Sequence, residues 1–416
     1  MTSDTHIKEA YIWFWLPETV DPIVVGRLVR EGQRYIFNYG RSWLKHAQAM
    51  AIYIPELPLR QGAIEPTPPL AMAGCLRDAA PDAWGRRVII NRLTGLKHKQ
   101  AEHIEFDELT YLMHSGSDRI GALDFQASPE YYIPRQEEHA SLDMLHDAAQ
   151  IVAAGQDLPA DLARALFHGS SIGGARPKAL IDTDNRKMIA KFSTPADSYS
   201  VVKAEFIAMR LAQYAGLNVA PVQLTKASGK DVLLIERFDR HKTDQGWARR
   251  SLVSALTMFG LDEMQARYAH YGELADIIRK RFHAPKKTLH ELFARIVFNI
   301  LVGNTDDHAR NHAAFWDGQY LSLTPAYDIC PQARTGQEAS QAMLIHENDR
   351  RSQLNTCLAG AAKFQLTQAE AQDIMDHQIA IIEQYWAPLC DEAQLSKAEA
   401  HFFWKRQFLN PYAFEG

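Results

Sequence analysis

The sequence predicts an α+β protein: a β-rich N-terminal subdomain, then a two-lobed body made of a small lobe of sheet with one helix and a mostly helical C-terminal lobe. Three observations predict it. Short alternating apolar runs fill residues 11–39, a second group of such runs lies between 178 and 235 around one helical segment, and from about 250 onward apolar residues recur at helical spacing. The corresponding boundaries are 1–130, 131–245 and 246–416. A length of 416 residues is ample for several domains and a large core.

Taken in order, Val24-Val25-Gly26-Arg27-Leu28 and Arg34-Tyr35-Ile36-Phe37 flank Glu31-Gly32-Gln33 and read as a β-hairpin. Leu70 to Ala73 and Ala83 to Ile90 read as helical on either side of the turn at Pro81-Asp82, and Gly121 to Phe125 as a strand closing the module. Prolines and charges from Ser128 to Glu138 mark a linker. A helix is expected from Leu142 to Ala154, then a hairpin of Lys178–Ile181 and Lys187–Phe192 across Asp182-Thr183-Asp184-Asn185. Another helix should run from Lys203 to about Ala215, stopped by Gly216, before the apolar strand Val232–Ile235. Leu289, Leu292, Phe293, Ile296, Val297, Ile300 and Leu301 stand at 3/4 spacing and predict a helix buried along one face, with Gly303 ending it. A last long helix is expected from Thr367 to Trp386.

Composition bounds the function. With 46% hydrophobic and 23% charged residues the chain is of ordinary globular type, and a formal charge of −5 gives no bulk reason for autonomous binding to nucleic acid or to an anionic membrane. Lys286-Lys287 reads as a solvated helix terminus. The four cysteines form no C-x-x-C pair, so neither structural zinc nor a disulfide framework is expected, which suits a reducing cytoplasm. The apolar run Ala10–Leu16 is too short for a membrane span, and no secretion signal is expected.

The chemistry is concentrated in Asn304-Thr305-Asp306-Asp307-His308-Ala309-Arg310-Asn311, followed by Thr324-Pro325-Ala326-Tyr327-Asp328. Phosphoryl transfer needs a carboxylate to accept the proton of the attacking hydroxyl and hard oxygen ligands for Mg²⁺ against the ATP phosphates. Asp306 and Asn311 stand in the D-x-x-x-x-N spacing used for those two jobs, and Asp328 occupies the place of a second metal-binding aspartate. Asp306 is preferred over Asp307 as the base on its spacing to Asn311 alone. His308 and His312 lie four apart, but the glutamate of an H-E-x-x-H zinc helix is missing, and His308 is counted instead among the nucleotide-contacting residues. Ser170-Ser171-Ile172-Gly173-Gly174-Ala175-Arg176-Pro177-Lys178 is the candidate phosphate loop, with Ser171, Gly173 and Gly174 nearest the nucleotide. Lys191, in the strand that follows, suits the lysine neutralising the α/β-phosphates, and Glu205 could pair with it. Glu236 to Phe238 stand where a hinge would hydrogen-bond adenine.

These blocks resemble the HipA-type serine/threonine kinases of bacterial toxin–antitoxin systems. The resemblance is carried by Ser171 to Lys178, Glu236-Arg237-Phe238-Asp239-Arg240, Asn304 to Asn311 and Pro325-Ala326-Tyr327-Asp328 in the family's order, and more weakly by Pro81 to Arg86 and Arg119 to Leu123. It implies an atypical kinase-like fold with a β-rich N-terminal extension. It also implies Asp306 as base, Asn311 and Asp328 as Mg²⁺ ligands, Lys191 as the ATP lysine and Glu236 to Phe238 as the hinge. Ser171 aligns with the serine that members autophosphorylate to shut themselves off, and Ser170 is a second candidate acceptor. The implied substrates are translation components such as aminoacyl-tRNA synthetases. The implied partner is a small helix-turn-helix antitoxin, through which alone DNA would be met. Arg176-Pro177 departs from the Gln-Glu of some members. Two further readings stand beside this one: a catalytically weak kinase-fold subunit acting through a DNA-binding partner, and a small-molecule kinase of the aminoglycoside or choline type. The intact acids and Lys191 argue against the first, the order of blocks against the second.

Overall fold

The computed structural model describes residues 7–94, 104–135, 140–154, 156, 159, 162, 176–183, 185–194, 197–334 and 336–415. The architecture is α+β. The chain forms two compact units, one of Met1–Ala196, Lys226–Val253 and Trp316–Gly318, the other of Asp197–Thr225, Ser254–Phe315 and Gln319–Gly416.

The first unit opens with strands β1 (Glu9–Phe14), β2 (Ile23–Glu31) and β3 (Arg34–Tyr39), joined by β4 (Leu123–Gln126) in the order β3-β2-β1-β4. The expected hairpin forms as β2 and β3, with its turn at Gly32 in the left-handed region, and β1 adds a third strand to the 11–39 stretch. Ala10, Ile12 and Phe14 alternate along β1 and are fully buried, the period-two pattern of a strand packed on one face. Gly26 is required on β2, because a Cβ there would lie 2.5 Å from the Phe37 ring. The helix expected over Leu70–Ala73 does not form. The carbonyl of Ala71 instead accepts the backbone N–H of Tyr35 at 2.8 Å, which holds this segment beside β3. A short helix, Gly74–Arg77, begins only afterwards, where the Glu56 carboxylate accepts the N–H groups of Gly74 and Cys75 at 2.8 and 2.7 Å.

A second sheet has the order β5-β6-β8-β7, from β5 (Lys178–Asp182), β6 (Lys187–Phe192), β7 (Val222–Ala227) and β8 (Lys230–Glu236). Its apolar side, with Ala179, Met188, Ala190, Phe192, Val232 and Leu234, packs against the 142–153 helix through Leu145, Ala148, Ala149 and Val152. Trp84 and Val88 of the 83–94 helix complete this core, and the Trp84 indole N–H donates to the Lys178 carbonyl at 3.1 Å. Here the N-terminal subdomain is fastened to the strand pair bearing Lys191. Beyond β8, β9 (Arg240–Thr243) and β10 (Gly246–Arg249) form a hairpin that the sequence pattern did not suggest. Strand β11 (Leu252–Ser254) follows at the end of this stretch.

The second unit is mainly helical. Its centre is the 285–301 helix, started by Pro285 at a position where no backbone N–H is needed. The predicted apolar residues are buried, but so are Arg295 and Asn299 on the other side, because helices 271–281, 354–360 and 368–392 surround it. The remaining predicted helices are present as Val201–Tyr214 and Gln368–Glu392, the latter opened by a Thr367–Glu370 capping box. Strands β12 (Ala313–Trp316) and β13 (Leu321–Leu323) pair after the Asn304–Asn311 segment. The described residues among 324–353, expected within a mostly helical lobe, carry no helix. Their backbone is held by extended contacts such as Ala326 N–H to the Asn218 carbonyl at 2.7 Å, and prolines 325 and 331 interrupt any helical run.

Because Trp84 joins a helix to the Lys191-bearing sheet by both packing and a hydrogen bond, Trp84→Ala should cost about 3–5 kcal/mol, read as a lower urea midpoint for the first unit. An unchanged midpoint would contradict this packing account.

Candidate active site

The loop from Asn304 to Asn311 begins where the 285–301 helix ends. Gly303 takes φ +69°, and a Cβ there would sit 2.6 Å from the Gln407 carbonyl oxygen, so only glycine permits both the turn and the contact. The loop is then fixed from inside by Asp307. Its buried carboxylate accepts from Asn299 Nδ2 at 2.7 Å, from the Tyr271 hydroxyl, and lies 3.0 Å from His312 Nε2. Burial by itself would raise the Asp307 pKa, but His312 and the hydrogen bonds from His312 and Tyr271 hold it below the ordinary carboxylate value. Asn311 Nδ2 donates to the Asp306 carbonyl at 3.2 Å, which closes the D-x-x-x-x-N turn on itself.

With Asp307 turned inward, the adjacent Asp306 is exposed. Its pKa is raised: desolvation is the largest cause, His308 opposes it, and the negative charges of Asp328 and Asp307 add to the rise. Asp306 and Asp328 therefore share one electrostatic neighbourhood. Asp328 itself has φ +59°, a left-handed conformation that a non-glycine residue adopts at some cost and that is seen where surrounding contacts impose it. Two carboxylates whose like charges interact are hard oxygen groups of the kind Mg²⁺ takes, and a cation between them would relieve the repulsion. Among the described residues no group of three or more His, Cys, Asp or Glu side chains is placed to hold a metal ion.

The first unit carries Lys191, Glu236 and Phe238, whereas Glu205 is buried on the Val201–Tyr214 helix of the second unit. Lys191 is buried on β6, opposite Lys178 on β5 and Leu233 on β8. Glu236 ends β8, with its carboxylate 3.8 Å from Arg186, and the N–H of Arg237 donates to the Lys187 carbonyl at 2.8 Å. Arg237, Asp239 and Arg240 of this block turn their charges inward. Arg237 donates to both Asp239 oxygens at 3.0 and 2.9 Å and to the Arg119 carbonyl at 2.7 Å. Arg240 donates to Asp239 at 2.8 Å and to Asp118 at 2.7 Å, and the Gly121 N–H donates to Asp239 at 2.8 Å. Burial pushes the Arg240 pKa down to about 10, while Arg237 and Arg240 together depress Asp118 and Asp239 despite their burial. This buried ion network ties the segment after β8 to residues 118–121. Sequence reasoning passed over Asp118, whose only signal was its place beside the Arg119–Leu123 block. Ser170, Ser171, Gly173 and Gly174 lie outside the described residues.

The fold is close to that of a chain in the solved complex of Shewanella oneidensis MR-1 HipA, HipB and operator DNA: TM-score 0.70, covering 95% of this chain and 94% of that one, at 18% identity. The chain belongs to the HipA family, since the HipA-like C-terminal domain matches residues 170–386 and the HipA N-terminal domain matches residues 19–126. Two curated relatives are the serine/threonine-protein kinase toxin HipA of Shewanella oneidensis, 25% identical over 183 residues, and the toxin YjjJ of Escherichia coli, 23% identical over 261. Those alignments cover 38% and 59% of this chain but 42% and 54% of the relatives. No helix among the described residues is long and apolar enough to cross a membrane.

The adjacent acids should separate in stability measurements. Asp307→Ala leaves buried donors without an acceptor and should cost about 3–5 kcal/mol. Asp306→Ala relieves like-charge crowding and should leave the melting temperature unchanged or higher. Equal losses in the two variants would contradict the division of roles.

Proposed function

We propose that this chain is an ATP- and Mg²⁺-dependent serine/threonine protein kinase that acts as the toxin of a toxin–antitoxin pair. The observation that carries the reading is the exposed Asp306, its pKa raised by desolvation and by neighbouring acids that include Asp328, in a loop closed by Asn311. A carboxylate so perturbed is a better proton acceptor near neutral pH than an ordinary aspartate.

In this reading Asp306 takes the proton of a substrate hydroxyl as that oxygen bonds to the γ-phosphorus and the bond to the departing ADP oxygen breaks. Asp328 and Asn311 would hold Mg²⁺, which when bound would supply charge neutralisation at the phosphate oxygens. Lys191 balances the α/β-phosphates, and its burial keeps the ammonium from spending its charge on water. Glu236 and Phe238 hold the adenine through their backbone, while Ser171, Gly173, Gly174 and His308 complete the nucleotide contacts. Phosphorylation of Ser171, or of Ser170, places up to about two negative charges in a loop meant for ATP phosphates and switches the enzyme off. The substrate is a host protein of the translation apparatus, with aminoacyl-tRNA synthetases as the leading class. The solved HipA complex contains HipB and operator DNA. Its likeness in fold supports a small DNA-binding antitoxin as partner, with DNA reached only through it, in a cytoplasmic setting.

Transfer of labelled γ-phosphate tests the proposal. Wild type should label itself at Ser170 or Ser171. Asp306→Asn should lower the rate by about 10²–10⁴, and Asp328→Ala should abolish it. Absence of both label and nucleotide binding, in protein first shown to be unphosphorylated, would replace this reading with that of a non-catalytic subunit working through its DNA-binding partner.

A further inference from the structure

Two residues assigned to the metal, Asn311 and Asp328, stand seventeen positions apart: Asn311 ends the single 3-10 turn Ala309–Asn311, and Asp328 lies outside helix and strand. Contacts between the two segments help to set their spacing. One of these is made by Tyr327, whose hydroxyl donates to the Arg310 carbonyl at 2.6 Å. It thus joins the residue before Asp328 to the residue before Asn311. Two weaker ties flank it. Asn304 Nδ2 lies 3.5 Å from the Asp328 carbonyl and 3.0 Å from Asn299 Oδ1, and the Gln332 N–H donates to the Gly303 carbonyl at 3.0 Å.

We propose that Tyr327 is a positioning residue whose phenol hydroxyl fixes Asp328 against Asn311, so that a divalent cation carried by a nucleotide finds both oxygen donors at once. The inference rests on the kinase reading above and deepens it. Tyr327 does not touch the reacting atoms in this account. It acts through the Arg310 carbonyl, and its loss lets the left-handed backbone at Asp328 relax away from the loop. Outer-sphere partners of this kind typically change metal affinity by about 10- to 100-fold.

The decisive substitution is Tyr327→Phe, which removes one oxygen and keeps the ring. ATP binding is measured calorimetrically in EDTA and across a series of Mg²⁺ concentrations, alongside melting temperature. Wild type should bind ATP more tightly with Mg²⁺ than without. In Tyr327→Phe the Mg²⁺ needed for half of that gain should rise about tenfold, while binding in EDTA and the melting temperature stay as in wild type. Asn304→Ala should raise the requirement by a smaller factor. An unchanged Mg²⁺ requirement in Tyr327→Phe, with wild type showing the gain, overturns the positioning role alone. A wild type with no Mg²⁺-dependent gain overturns the kinase reading and this inference together. If Tyr327→Phe loses EDTA binding and melting temperature in parallel, the hydroxyl is structural and the inference also fails.

Discussion

The buried carboxylate of Asp307 is the constraint on which the rest of the second unit's site depends. An ionised carboxylate without water is tolerated only when its lone pairs are occupied, and here Tyr271, Asn299 and His312 occupy them. That demand fixes the direction of the chain at one residue and, since adjacent side chains in the loop point differently, presents Asp306 outward. The donors come from the 271–281 helix, the 285–301 helix and the end of the loop, so the orientation of one surface aspartate is set by the packing of two core helices. Glycine at 303 is the other requirement, because the chain must turn left-handed against the Gln407 carbonyl before the loop can start.

The first unit shows a related economy. Arg237, Asp239 and Arg240 belong to a block that on sequence looks like a ligand contact, yet their charges are turned inward toward Asp118, the Arg119 carbonyl and Gly121. Removing any one would leave a buried charge uncompensated, which is more damaging than the net worth of the pair. Together with Trp84 on the Lys178 carbonyl, the network explains why the N-terminal blocks and the β5–β8 sheet occur in one chain: they share a core and a set of charges.

Much of this was legible in the sequence. Apolar periodicity located the 142–153, 201–214, 285–301 and 368–392 helices to within a few residues, and the hairpin bearing Lys191 announced itself by alternation and a polar turn. Failures came where tertiary contacts override local pattern. The Leu70–Ala73 segment pairs with β3, and residues 324–353 are held by single bridges that leave no periodic trace. Spacing to Asn311 alone preferred Asp306 to Asp307, whereas the inward turn of Asp307 onto three donors involves residues up to 36 positions away and had no local signal. Tyr327 stood inside a quoted block without a role, since its partner is the carbonyl of Arg310 and a carbonyl has no sequence signature.

Whether Asp306 and Asp328 act as two acids of one site is read most directly from a carboxyl carbon-13 titration of Asp306 in metal-free protein. The folded pKa should lie above the ordinary aspartate value of about 3.9, so that Asp306 stays protonated to higher pH than in the unfolded chain. Asp328→Asn should move it downward by removing the neighbouring charge. An Asp306 that titrates at the ordinary value and does not respond to Asp328→Asn would contradict the shared site.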